Sequence, residues 1–303
     1  MRHCIFLGTI AFLAACQTAP PDPAPTEKVI VKVIKTVEEP VPAPAPTQGQ
    51  QWLYGSAESR IALKQDWNAI ASYVEAKAAN RPNASVVLAP GATAEAADFL
   101  ACGADQPLAA VFDADETLIW NLGSMGYFAR HGIGFAPAVW DEWEKTGAGK
   151  AVAIPGAKDA FQRMRDAGVE IIVNTNRSNT NIQGSADTLK AAGLGEFVHG
   201  QTLYLRGDAP DGGGKDGRRY MISDNYCVIA LAGDQLGDIA DIFNDKALTP
   251  PERKALTAAP VFDQMWGNGW FILPNPVYGP SLAGSMEEVF PPETDWAPPA
   301  SEE

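Results

Sequence analysis

Two aspartates one residue apart, Asp113 and Asp115, follow an apolar run in Val111-Phe112-Asp113-Ala114-Asp115-Glu116-Thr117-Leu118. A carboxylate can attack an electrophilic centre, and a second one within reach can move the proton that a leaving group needs. Further along stand Thr175 in Asn174-Thr175-Asn176-Arg177, Lys215 after three glycines, and Asp234 and Asp238 in Gly233-Asp234-Gln235-Leu236-Gly237-Asp238. A hydroxyl and an ammonium of this kind can bind phosphoryl oxygens. Asp113 alone would repel a phosphate dianion, so the site needs cations, which Lys215 and a divalent ion can supply. Mg²⁺ suits such a set, because it is hard, prefers oxygen ligands and takes few carboxylates. A single acid at a strand end more often terminates the strand or caps a helix. Four polar groups in order, three of them closing apolar runs, are not explained that way.

Residues 108–112, bounded by Pro107, are too short for a helix and read as a buried parallel strand. Apolar runs at 169–173, 202–205, 227–232 and 270–273 read the same way, with helical segments at 155–167, 181–192 and 217–223 between them. This alternation predicts an α/β fold with a mostly parallel sheet covered by helices and its ligand site at the carboxyl ends of the strands. Upstream, Ser56 is a helix cap, and Leu63, Trp67, Ile70 and Val74 recur on one apolar face until Asn80-Arg81-Pro82-Asn83 stops the helix. A Gly/Ala-rich stretch leads from there to the first central strand. Trp120, Tyr127, Phe128, Phe135, Trp140 and Trp143 mark an irregular aromatic region that serves either as the core of a small cap or as a stacking platform. Arg218 and Arg219, beside Lys215, are expected on a helix surface.

The 303 residues are 46% hydrophobic, enough for one large domain with a substantial core. A formal net charge of −14 argues against a general nucleic-acid-binding surface, so an anionic substrate must meet a local basic pocket. Residues 1–15 have the layout of a secretory signal, and Leu13-Ala14-Ala15-Cys16 has that of a bacterial lipobox, in which Cys16 carries lipid. Gln17 after it fits outer-membrane sorting. Residues 16–51, rich in proline, form a tether. The folded domain then spans 52–284, and 285–303 is an acidic, proline-rich tail.

The ordered motifs resemble the haloacid dehalogenase (HAD) superfamily, and within it the class C bacterial acid phosphatases typified by the lipoprotein e 5′-nucleotidases. The resemblance rests on residues 111–118 with Asn121, on Thr175-Asn176-Arg177, and on Gly233-Asp234 with Leu236 and Asp238. It extends to Trp52 with Ser56-Ala57-Glu58, Trp140 and Trp143 before Ile154-Pro155-Gly156-Ala157, and Phe271-Ile272-Leu273-Pro274-Asn275 before Tyr278-Gly279. It implies a HAD-like Rossmannoid fold with a small helical cap, and a Mg²⁺-dependent phosphomonoesterase of the cell envelope acting through an aspartyl-phosphate. Asp113 is then the nucleophile, Asp115 the acid/base, and Thr175 and Lys215 the phosphate-binding pair. Asp113, Asp115 and Asp234 form the metal site, with Asp238 supporting metal-bound water. Asn176, Arg177, Trp120, Tyr127 and Trp140 are candidate substrate contacts, and nucleoside monophosphates are candidate substrates. Trp120 stands where the family usually has an acid, and Gln235 where it has asparagine. Family topology places the strands after Cys102 and Cys227 side by side, which allows a disulfide; two buried free thiols are the other reading. A non-catalytic binding lipoprotein and a phosphotransferase to alcohols are the competing functions.

Overall fold

The computed structural model describes residues 44–210 and 212–298. The lipobox, Cys16 and most of the tether lie outside the described residues, as does the end of the tail.

Five parallel strands form the central sheet: β1 Leu108–Phe112, β2 Glu170–Ser178, β3 Leu203–Arg206, β4 Cys227–Gly233 and β5 Trp270–Ile272, in the order β3-β2-β1-β4-β5. All five residues of β1 are buried, as a central strand covered on both faces must be. Alternation along the strand divides the core into two. Leu108, Ala110 and Phe112 join one apolar cluster, Ala109 and Val111 the other.

The helix Ala57–Ala79 covers the first face. Ser56 caps it by accepting the Ser59 N–H at 3.0 Å, and Leu63, Trp67, Ile70 and Val74 are buried as their spacing predicts. Trp67 packs against Phe112 at 5.3 Å between ring centroids and against Phe161 of the helix Ala157–Asp166 at 5.8 Å. These rings press on the last residue before Asp113 and hold the strand end in place.

Several segments depart from the sequence reading. The Gly/Ala-rich stretch before β1 contains a strand, Phe99–Ala101, paired antiparallel with Ala84–Leu88; the pairing supplies the periodicity that three residues cannot display. The aromatic region is helical, Leu122–His131 and Pro137–Thr146, the second begun by a proline at its first position. β2 runs on past Val173 through Ser178, because β3 continues beside it with Thr175 opposite Leu205 and Ser178 opposite Arg206. Helical structure begins at Gln48, ahead of the expected start at Trp52. A Cβ at Gly49 would stand 1.9 Å from the Pro276 carbonyl oxygen, so this turn lies directly on the segment after β5. Cys102 and Cys227 form a disulfide that joins residues 125 apart and ties the start of β4 to the chain leading into β1.

Candidate active site

Asp113 follows β1, Asp234 follows β4, Thr175 lies near the end of β2, and Lys215 precedes the helix Asp216–Ser223. The parallel register brings these ends together: Asp113 N–H donates to the Ala232 carbonyl at 3.0 Å, carrying the ladder one residue beyond the strand. The Lys215 side chain is buried, and its Nζ donates to Asp113 Oδ1, to Asp238 Oδ1 at 2.7 Å and to the Asn174 carbonyl at 2.7 Å. Burial opposes the Lys215 charge, but Asp113 and Asp238 outweigh it and raise its pKa.

Carboxylate oxygens of Asp113, Asp234 and Asp238 lie within 4.8 Å of one another. Asp234 Oδ2 accepts from Asn275 Nδ2 at 2.6 Å and Gln235 Nε2 at 2.8 Å, while Asp238 Oδ2 accepts the Gln235 N–H at 2.8 Å. Gly233 admits no side chain, since a Cβ there would fall 2.1 Å from that of Asp238. Burial pushes the Asp113 carboxyl up to about 7 against the pull of Lys215, with repulsion from Asp238 and Asp115 adding to the rise. Burial also raises Asp234 well above the usual range, helped by Asp238 and Asp113. Three carboxylates around one ammonium leave an excess of buried negative charge. That excess and an oxygen-only donor set fit a hard divalent cation.

Asp115 adds no carboxylate to this cluster. Its carboxylate faces Arg177, whose Nε lies 3.0 and 3.1 Å from the two oxygens and whose Nη2 lies 2.7 Å from Oδ1. Asn121 Nδ2 donates to the same Oδ1 at 2.9 Å. Arg177 is thereby committed to Asp115 and lies over Trp140 at 6.0 Å. Asp238, expected to support metal-bound water, is one of the three clustered acids.

The remaining predicted residues take varied places. Thr175 is buried, and its Oγ1 accepts the Arg177 N–H at 3.3 Å. Asn176 binds the lysine loop, donating to the Gly213 carbonyl at 3.0 Å. Trp120 is partly buried and meets Tyr54 edge-on at 6.1 Å; Tyr127 is 40% exposed and stacks on His131 at 4.1 Å.

Arg218 and Arg219 are buried rather than on a helix surface, because strand-end carbonyls and acids surround them. Arg218 donates to the Thr175 carbonyl and to Asn176 Oδ1. Arg219 donates to the Gly237 and Asp238 carbonyls at 3.1 and 2.9 Å and pairs with Asp216 and Asp241. Asp241, missed in the sequence, accepts the Lys215 and Asp216 N–H groups at 2.8 and 2.9 Å and so caps the lysine-bearing helix.

Glu116 was also missed. It is fully buried at φ 55°, a left-handed conformation costly for a side chain, and accepts from Tyr54 Oη at 3.1 Å, Asn121 N at 2.8 Å and Tyr278 Oη at 2.6 Å. Burial raises its pKa, and the charge of Asp115 adds to the effect. Its place between the motif's second aspartate and threonine was the one available signal.

A parallel sheet delivering an aspartate pair, a buried lysine and an oxygen-only acidic cluster from its strand ends defines a HAD-type α/β protein. Residues 57–281 match the profile of the HAD superfamily, subfamily IIIB (acid phosphatase). The chain belongs to that family, whose members hydrolyse phosphoric monoesters and use a divalent metal. Among solved structures it is similar to the class C acid phosphatase from Bacillus anthracis, at 22% identity and a TM-score of 0.60, over 77% of this chain and 84% of that one. A structure of the class C acid phosphatase from Bacillus anthracis with tungstate bound aligns at 21% identity and a TM-score of 0.59, with the same coverage. At these identities the likeness establishes the fold. No curated protein matches the chain.

Proposed function

We propose that the chain is a Mg²⁺-dependent phosphomonoesterase acting through an aspartyl-phosphate on Asp113, anchored in the bacterial envelope, at the outer membrane, by lipid on Cys16. The observation that carries the chemistry is Asp113 itself, at the end of the central strand, beside Lys215 and two further acids, with Asp115 held apart two residues on.

An oxygen of Asp113 attacks phosphorus as the ester P–O bond breaks, and Asp115 gives its proton to the departing alkoxide. Asp115 then takes a proton from water as the water oxygen bonds to phosphorus and the Asp113–phosphorus bond breaks, releasing phosphate. The Lys215 ammonium and the Thr175 hydroxyl hold phosphoryl oxygens that gain charge in each step. Asp113, Asp234 and Asp238 are the candidate ligands of Mg²⁺, which when bound neutralises phosphate charge as a Lewis acid. Tungstate, named as the ligand of the Bacillus anthracis neighbour, is a tetrahedral oxyanion like the phosphate proposed here. Nucleoside 5′-monophosphates are the proposed substrates, with Tyr127 and Trp120 the aromatic contacts for a base.

The test is phosphate release by the full chain from nucleoside 5′-monophosphates and 4-nitrophenyl phosphate, with Mg²⁺ or with chelator. Metal-dependent turnover that disappears in Asp113→Asn is expected. Equal turnover in chelator, or retention in that variant, would overturn the proposal.

A further inference from the structure

The cradle around Asp115 distinguishes its two oxygens. Oδ1 accepts two bonds of its own, from Arg177 Nη2 at 2.7 Å and Asn121 Nδ2 at 2.9 Å. The single Arg177 Nε–H is shared between Oδ1 at 3.0 Å and Oδ2 at 3.1 Å, and is the one donor that reaches Oδ2. The two full bonds occupy both lone pairs of Oδ1, whereas Oδ2 has one to spare for a proton. The donors are themselves fixed. Arg177 is 2% exposed and lies over Trp140, and its Nη2 also donates to Asn121 Oδ1 at 2.9 Å. Asn121 Oδ1 accepts a second bond, from Trp143 Nε1 at 2.8 Å, and its Nδ2 also donates to Glu116 Oε2 at 3.1 Å. Trp140 and Trp143 belong to the helix Pro137–Thr146, so that helix is tied to the orientation of Asp115.

We infer that Arg177 is a positioning residue: with Asn121 it fixes Asp115 by Oδ1 and leaves Oδ2 as the atom that carries the proton to the leaving oxygen. This assigns Arg177 a role through Asp115, not through contact with the phosphoryl group, and it rests on the reading of Asp115 as the acid. An arginine is suited to it because its planar fork sets direction as well as charge, which a lysine cannot do.

A leaving group that departs easily as an anion needs no proton, and an alkoxide does. Rapid-mixing release of the alcohol from the full chain with Mg²⁺ therefore separates the roles, comparing 4-nitrophenyl phosphate with an alkyl monoester. Arg177→Gln is expected to slow the alkyl ester by about 100-fold and the nitrophenyl ester by only a few-fold. Arg177→Lys, which keeps the charge and loses the fork, is expected to show the same selectivity and carries the test if the glutamine variant does not fold. In an Asp115→Asn background, Arg177→Gln should slow neither ester further. Equal slowing of both esters, or a further loss in the Asp115→Asn background, would overturn the assignment. A wild type that releases alcohol from neither ester would overturn the reading of Asp115 as the acid and this assignment with it.

Discussion

Without a divalent cation the acidic cluster should make stability fall as pH rises, by an amount that follows from Asp113. Its carboxyl, ordinarily at 3.8, is raised by burial to about 7. The folded state therefore holds this proton more tightly than the unfolded chain. The stabilisation is fully present below the unfolded value and is lost as pH rises through the folded one. Three pH units at ~1.36 kcal/mol each make about 4 kcal/mol in total. About 3 kcal/mol of that falls between roughly pH 4.5 and 8. Urea unfolding of the full chain in chelator, compared with Asp113→Asn, removes this titration together with the repulsion that Asp113 exerts on Asp234. The variant should gain on the wild type across that interval, by an amount on the order of 3 kcal/mol. Mg²⁺ at the higher pH should restore the wild type selectively, since binding N but not U stabilises it. A stability gap between the two proteins that stays constant with pH would refute the reasoning.

Two further outcomes are expected. The disulfide closes a loop of 125 residues, so replacing both cysteines by alanine should cost about 5 kcal/mol on the loop-entropy account; an unchanged denaturant midpoint would contradict that. Asp241→Ala removes the acceptor of two helix N–H groups and of Arg219, with an expected cost of about 1–3 kcal/mol and a fall in kcat as Lys215 shifts. Thermal unfolding and turnover check it, and unchanged kcat would show that Asp241 does not position the lysine.

The positions of Asp113, Thr175 and Asp234 were legible because each stands within two residues of the end of an apolar run, and a strand end in an open parallel sheet is where side chains converge. Lys215 was legible from the need for a cation beside Asp113 and from the family resemblance, not from its surroundings in the sequence. Its own neighbourhood of glycines, an aspartate and two arginines looks like a solvated loop, yet packing buries all three cations. Glu116 and Asp241 gave little or no signal, since acids beside other acids usually mean a hydrated surface.

The sequence by itself determined the parallel strands, the helix on Leu63, Trp67, Ile70 and Val74, and the order of the motifs. These depend on local periodicity and on residue type. Only the tertiary structure decided which charges meet. The Asp115 carboxylate met Arg177, 62 residues away, the Asp238 carboxylate joined those of Asp113 and Asp234, and Arg219 tied the helix after Lys215 to the carbonyls of the Asp238 turn. Such pairings are chosen by the cost of leaving a buried charge without a partner, and that cost exists only once the chain has folded around it.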